Sequence, residues 1–478
     1  MRKLFQKQYI YLFSILFIIL FRTSFCYAEF TIDDERKVGK EFYDKLASHN
    51  ILLENRPLNQ YITNIGNLIL NGNKQVPFEF HFSIVNSSAI NAFATPGGYI
   101  YINKGLINNV ENEAELAGVI AHEIGHANAR HIASIIEKSQ KLNIAAVAAI
   151  LAGAFLGGGG EATAAIAAFS LAGATTLSLK YSRENEEEAD RRGIEYLVKA
   201  GYYPAAMVDF MKIMKKYEFL SKTMPSYFLT HPATDERIFY LDSLILTKYR
   251  QQKGAKNIVG NLCRMQTLLS LNDNDLDTKY SQLQESSAKN PKDVDLLYSL
   301  AMIEDKLGKT SDAMEHYQKA LSLSPQDEDV LKNLGLINIK LGKANLAQIY
   351  LQRAININPN NDEVILALGQ SYDALDNYQN ALDCYLKLEN KSFDEIDIHY
   401  YIAMVYGKLN NQGESHYYFG LYFKKAKKKE SALFHFREAL NFFPAGSERT
   451  EIIKKAISDL NSPEKSKSQN KTTSKNYN

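Results

Sequence analysis

Glu113-Ala114-Glu115-Leu116-Ala117-Gly118-Val119-Ile120-Ala121-His122-Glu123-Ile124-Gly125-His126 is the stretch on which the reading of this chain turns. His126 follows His122 by four residues, so in an α-helix both imidazoles lie on one face, about one turn apart, and can bind one cation. Glu123 then faces the open side of that cation. A carboxylate there can take a proton from a water whose pKa the metal lowers to roughly 7, and pass it to a leaving amine. A pair of histidines at this spacing also occurs inside ordinary amphipathic helices. The uncharged run from Leu116 to Ala121 tells against that, because it marks a buried helix in which unbonded imidazoles would be costly.

The third ligand decides the subclass. A metzincin needs a glycine three residues after the second histidine and a further histidine three beyond it; Ala129 and Ile132 hold those positions, and His131 falls off the ligand face. The better candidate is Glu186, in Tyr181-Ser182-Arg183-Glu184-Asn185-Glu186-Glu187-Glu188-Ala189-Asp190. It would complete a His-His-Glu site with one position left for water. Asp190, one helical turn on, is placed to accept the free N–H of a metal-binding histidine. Without the histidines, the same acidic cluster reads as a solvated helix start favoured by the helix dipole.

Four motifs in order carry a family resemblance: Asn91-Ala92-Phe93-Ala94-Thr95-Pro96-Gly97-Gly98-Tyr99-Ile100, then His122 to His126, then Ser182 to Asp190, then Thr230-His231-Pro232. Together they resemble the gluzincin family of HtpX and the CAAX prenyl proteases. With an apparent leader and a helical-repeat tail, the chain is most similar to the periplasmic BepA-like branch, the β-barrel assembly-enhancing proteases. The resemblance implies His122, His126 and Glu186 as ligands of one Zn2+ per chain, Glu123 as general base, Asp190 as a residue supporting the site, and His231 as a histidine that approaches the metal.

Residues 1–28 read as a cleaved signal peptide: Met1-Arg2-Lys3 is basic, Gln8 to Phe21 is uncharged and mostly apolar, and Ala28 closes the segment. Lipidation at Cys26 is disfavoured by Phe25, which stands where a small residue is needed. The 478 residues are too many for one core and point to two domains. A net charge of +1 offers no electrostatic argument for nucleic acid. Beyond the leader only Cys263 and Cys384 remain, either as a disulfide or as two inert thiols.

Helical spacing runs from Phe30 to about Asn73, and Phe78 to Val85 alternates as a half-buried strand does. A second strand pair, Ala92 to Ala94 with Tyr99 to Ile102, turns at Pro96-Gly97-Gly98. A strand edge beside a peptidase metal can hold substrate through main-chain hydrogen bonds, which makes Asn91, Ala92, Phe93 and Ala94 a candidate substrate strand; the alternative is an ordinary hairpin rim. The Ala/Gly-rich stretch 144–179 reads as a hairpin of two close-packed helices. Its alternative is a mobile flap, or a patch near a membrane surface, hinged on Gly157 to Gly160. His231, extended before Pro232, is placed either to donate to an oxyanion or to bind the metal as a fourth ligand and keep the enzyme latent.

Beyond residue 257 the pattern becomes periodic. Leu297, Leu300, Ala301, Gly308, Ala313, Tyr317, Ala320 and Pro325 recur as Leu331, Leu334, Gly335, Gly342, Ala347, Leu351, Ala354 and Pro359, the tetratricopeptide period of 34 residues. Ile365, Leu368, Gly369, Ala381 and Tyr385 continue the series; a spacer from Ile396 to Asn411 then breaks the register, and a further unit follows around Phe436. Tyrosines such as Tyr400, Tyr417 and Tyr422 are divided between helix-pair core and a binding groove.

The expected fold is therefore mainly α: a gluzincin metallopeptidase domain of helices plus a small β-sheet (29–256), then an α-solenoid of tetratricopeptide helix pairs (257–461) and a disordered polar tail (462–478). The expected function is that of a periplasmic zinc endopeptidase with a binding solenoid. By resemblance its substrates are unfolded or misassembled outer-membrane proteins and its partner the β-barrel assembly machinery. The alternative is a chaperone or assembly adaptor whose metal domain is kept latent by His231. A membrane-embedded prenyl-protein protease is disfavoured, because the candidate spans are too few.

Overall fold

The computed structural model describes residues 30–72, 78–138, 144–156, 181–221, 225–232, 235–271, 276–391 and 397–461. The expected leader, the glycine run 157–160 with the rest of the Ala/Gly stretch to 179, and the polar tail lie outside these residues. The chain divides into two units, Met1–Leu269 and Ser270–Asn478.

In the first unit, α1 (Ile32–Ser48) begins at a capping box. The Thr31 side chain accepts from the Asp34 N–H while the Asp34 carboxylate accepts from the Thr31 N–H. Helix α2 (Arg56–Asn71) starts at the Asn55 cap with proline in its first turn. Three strands follow, β1 (His81–Val85), β2 (Ala92–Thr95) and β3 (Tyr99–Asn103), in the order β1-β3-β2. Strand β3 pairs parallel with β1 and antiparallel with β2. Gly97 and Gly98, at φ 83° and 87°, make the turn between β2 and β3, a backbone that only glycine adopts freely. Strand β1 is shorter than the expected Phe78 to Val85. Its ladder begins where His81 meets Tyr99, the first residue out of that turn, so nothing on β3 is left to pair with Phe78 to Phe80.

Short α3 (Lys104–Asn109) leads into α4 (Glu113–Asn128), which carries the histidines and is buried from Glu113 to Ala127. A helix apolar on all sides has to lie inside the fold, and α4 is the axis of the largest core, ringed by α2, the sheet, α7 (Arg183–Lys199) and α8 (Ala206–Ser221). Small residues set the approach of α4 to α7. A Cβ on Gly125 would come 2.8 Å from the Ala189 carbonyl oxygen, and one on Gly193 would come 3.1 Å from the backbone of His122. Between them lie α5 (His131–Lys138) and α6 (Ile144–Leu156). Beyond α8 come α9 (Ser226–Thr230), α10 (Asp235–Lys248) and α11 (Leu262–Ser270).

Helix α6 is the described part of the Ala/Gly stretch. Val147 to Ala152 and Phe155 are buried against Val38, Phe42 and Leu46 of α1 and Phe93 of β2. These residues of the stretch are thus core. No helix among the described residues is long and apolar enough to cross a membrane.

Residues 257–269, assigned above to the solenoid, belong to the first unit. The Glu113 carboxylate accepts the N–H groups of Ile258, Val259 and Gly260 at 2.7, 2.8 and 2.9 Å, together with the hydroxyls of Tyr61 and Tyr202. Leu262 and Leu269 enter the same core as α4. The period had no way to show this, because the contacts span more than a hundred residues of sequence.

The second unit is a run of antiparallel helix pairs. A single helix α12 (Leu276–Lys289) precedes α13 (Val294–Lys306) and α14 (Thr310–Leu323), α15 (Glu328–Lys340) and α16 (Ala344–Ile357), and α17 (Asp362–Ala374) and α18 (Tyr378–Leu386). Then come α19 (Ile398–Lys408) and α20 (Gln412–Lys425), and α21 (Lys429–Leu440) and α22 (Glu448–Asn461). The turn inside each of the first four pairs uses a left-handed residue, at Gly308, Gly342, Asp376 and Asn410 in succession. These positions keep the 34-residue step, so the stretch up to Asn411 does not break register. The repeat is hidden there because Asn410, of a residue type that tolerates this backbone, stands where glycine stood in the first two pairs. Tyr417 and Tyr418 are core residues of this unit, whereas Tyr400 is exposed.

Candidate metal centre

Helix α4 holds Nε2 of His126 3.0 Å from Nε2 of His122. From α7, Glu186 reaches both: Oε1 lies 3.4 Å from His126 Nε2 and Oε2 3.5 Å from His122 Nε2. His231, at the C-cap of α9, brings Nδ1 to 3.3 Å from His122 Nε2 and 3.0 Å from Glu186 Oε1. Among the described residues this is the one group of histidine, cysteine and carboxylate side chains able to hold a metal ion, and all four members are buried.

The donor set fits a cation. Two imidazole nitrogens 3.0 Å apart have room for at most one proton between them, while the buried His231 Nε2 has no hydrogen-bond partner. A tetrahedral ion with arms of about 2.0–2.1 Å has ligand-to-ligand edges of roughly 3.3 Å, and with one donor atom from each residue the four lie within 4.8 Å of one another, close enough to gather round one ion.

Around this set lies a charged support. Asp190 Oδ1 is 2.9 Å from His122 Nδ1. Arg237, on α10, donates Nε to Asp190 Oδ2 and Nη2 to Oδ1, both at 2.8 Å, and its Nη1 lies 2.5 Å from Glu186 Oε2. Burial opposes the charge on Glu186, but His231 and Arg237 hold its carboxyl well below the usual range. Burial likewise opposes a proton on His122, yet Asp190 and Glu186 push that imidazole up to about 10. His126, also fully buried, is held well below the ordinary histidine value. A neutral imidazole is the form that binds metal.

Glu123 is completely buried, with Oε1 3.6 Å from His231 Nε2. Burial pushes its carboxyl up against the pull of His231 and His122. A raised carboxyl is what a group that must hold a proton for part of a cycle requires. The rings of Tyr181 and Tyr227 fix His231 between them. Tyr227 stacks on it at 4.7 Å and 17°, and Tyr181 lies 4.9 Å from His231 and 3.9 Å from His126.

The structure brings His122, His126, Glu186, Asp190, Glu123 and His231 together in one buried site. Asn91 to Ala94 lies at the sheet edge, where among the described residues β2 has only β3 as a strand neighbour. It is not open, however: the Asn91 amide donates to the Phe155 carbonyl at 3.1 Å, and the Phe93 ring stacks on Phe155 at 4.7 Å, so α6 covers the strand. Three site residues were not assigned from sequence. Arg237 follows the Thr230-His231-Pro232 motif at a helix start with no spacing that ties it to Glu186 or Asp190, Tyr181 precedes the acidic motif, and His131 was set aside by its register. No disulfide joins Cys263 and Cys384.

Comparison with known proteins agrees with this layout. Residues 58–245 match the family model described as peptidase family M48, and residues 265–404 one described as tetratricopeptide repeat. Over 211 residues the chain is 37% identical to a putative beta-barrel assembly-enhancing protease of Vibrio cholerae, a match covering 44% of this chain and 43% of that protein. The beta-barrel assembly-enhancing protease of Yersinia pestis is 36% identical over 214 residues, 44% of each chain. Mitochondrial metalloendopeptidase OMA1 of Arabidopsis thaliana is 34% identical over 158 residues, 32% of this chain and 29% of that one. The match thus spans less than half the length of these curated relatives.

Proposed function

We propose that this chain, a metallopeptidase domain of family M48 followed by tetratricopeptide repeats, is a zinc-dependent endopeptidase that is periplasmic and acts on misassembled outer-membrane proteins. The observation that carries the chemistry is the buried convergence of His122, His126, Glu186 and His231 beside Glu123. The names of the bacterial relatives support the substrate class, and the repeats offer a protein-binding surface through which the β-barrel assembly machinery would be met.

His122, His126 and Glu186 would hold the zinc. When bound, zinc supplies a Lewis acid that polarises the scissile carbonyl and lowers the pKa of an attacking water to roughly 7. Glu123 takes the proton from that water and hands it to the departing amine. Asp190 fixes the tautomer of His122 through Nδ1, and Arg237 keeps Asp190 and Glu186 ionised while both are buried. Substrate would lie along β2 once α6 has uncovered it.

His231 would be the fourth ligand of a latent form. Its Nδ1 sits among the other candidate ligand atoms and its Nε2 faces Glu123, so one imidazole would occupy the position left for water and approach the base. The same contacts favour a second reading, an assembly adaptor with a largely latent peptidase domain. Digestion of an unfolded outer-membrane protein by the purified chain separates the two. Glu123→Gln should abolish cleavage and His231→Ala should increase it; cleavage untouched by Glu123→Gln would rule out the mechanism, and none in either protein would favour the adaptor.

A further inference from the structure

His131 opens α5, and its Nδ1 lies 2.9 Å from Nδ1 of His126, the ring nitrogen on the far side from the candidate centre. Its own Nε2 lies 3.3 Å from Oε2 of Glu188. The other oxygen of Glu188 accepts Nε and Nη2 of Arg192 at 2.9 and 2.7 Å, which holds the carboxylate in place.

A neutral imidazole carries one N–H and one lone pair, so two facing Nδ1 atoms share a single proton, and its owner decides what His126 can do. With the proton on His131, His126 would accept at Nδ1 and carry its own hydrogen on Nε2, where it blocks ligation. With the proton on His126, Nε2 is a free lone pair directed at His122 and Glu186. His131 then carries its hydrogen on Nε2, facing Glu188. An ionised carboxylate only accepts, so Glu188 selects the second arrangement.

The geometry points to His131 and Glu188 as a positioning pair that holds His126 in its metal-binding tautomer, the counterpart of Asp190 and Arg237 behind His122. The two supports differ in chemistry. The one behind His122 is a buried carboxylate and guanidinium, whereas the one behind His126 runs through a neutral ring to a half-exposed carboxylate. The inference rests on His126 being a metal ligand, as proposed above.

The test uses the full-length chain, with zinc affinity measured by competition against a chromophoric chelator and the visible spectrum recorded with cobalt(II) in place of zinc. His131→Phe should lower zinc affinity about ten- to a hundredfold and change the cobalt bands. His131→Asn should recover most of the affinity, because its carboxamide oxygen can sit where Nδ1 was and accept from His126. Glu188→Leu, at a half-exposed position, should fall between them and decides the matter if His131→Phe folds poorly. Unchanged affinity and spectrum in His131→Phe or Glu188→Leu, or a His131→Asn chain as weak as His131→Phe, overturns the inference. Failure of the underlying reading looks different: His126→Ala would then bind zinc as well as the unaltered chain.

Discussion

Arg237 grips Asp190 through two hydrogen bonds of 2.8 Å, from Nε and Nη2, at a site where the carboxylate is fully buried. A planar fork matches a carboxylate in a way a lysine ammonium cannot. Removing it leaves Asp190 and Glu186 as buried charges without their common counter-charge. Arg237→Met should lower unfolding free energy by about 3–5 kcal/mol and also release metal, with Arg237→Lys recovering only part of either. Urea titration and metal analysis of the purified variants check this.

The approach of α4 to α7 depends on Gly125, where a Cβ would meet backbone atoms of Ala189 rather than a side chain able to swing away. Gly125→Ala should push the helices apart and lower stability by about 1–3 kcal/mol, with weaker metal binding because Glu186 moves with α7. Thermal unfolding measured with and without zinc separates the two effects. A loss confined to stability would detach the glycine from the site.

Burial pushes the Cys384 thiol up to about 11. Its folded value lies above the ordinary one, so the neutral thiol favours the fold at lower pH, and this contribution is lost as pH rises from about 9 through 11. In the folded chain Cys384 should alkylate slowly at pH 8 and speed up about tenfold per unit toward pH 11. Mass spectrometry of iodoacetamide-labelled peptides, with denatured chain as reference, gives the comparison.

Lys427 adopts φ 57° in the turn between α20 and α21, a left-handed backbone that costs an L-residue roughly 1–2 kcal/mol. Lys427→Gly should therefore stabilise the second unit by up to about 1 kcal/mol after glycine's greater unfolded-state entropy is subtracted. A melting temperature unchanged or lowered would show that the lysine is held there by contacts worth more than the strain.

The repeat was legible through Gly308, Gly342 and the unit around Asp376 and lost at Asn410, although all four residues occupy the same turn. A pattern built on glycine records one solution to a left-handed backbone and misses the others. The candidate metal site was legible for a comparable reason. His122, His126 and the Glu186–Asp190 pair are spaced by a helical turn, and a period of 3.6 residues turns sequence spacing into a shared face.

The sequence by itself determined which side chains could meet within one helix and which helices would pair with their neighbours, because both follow from local periods. Only the tertiary structure decided that Arg237 closes the charge on Glu186 and Asp190, that His131 backs His126, that α6 lies over β2, and that residues 257–269 join the first core through Glu113. Each of these joins elements that spacing along the chain does not relate. They arise where packing must satisfy a buried charge, a ring nitrogen or an apolar face with whatever residue the fold brings near.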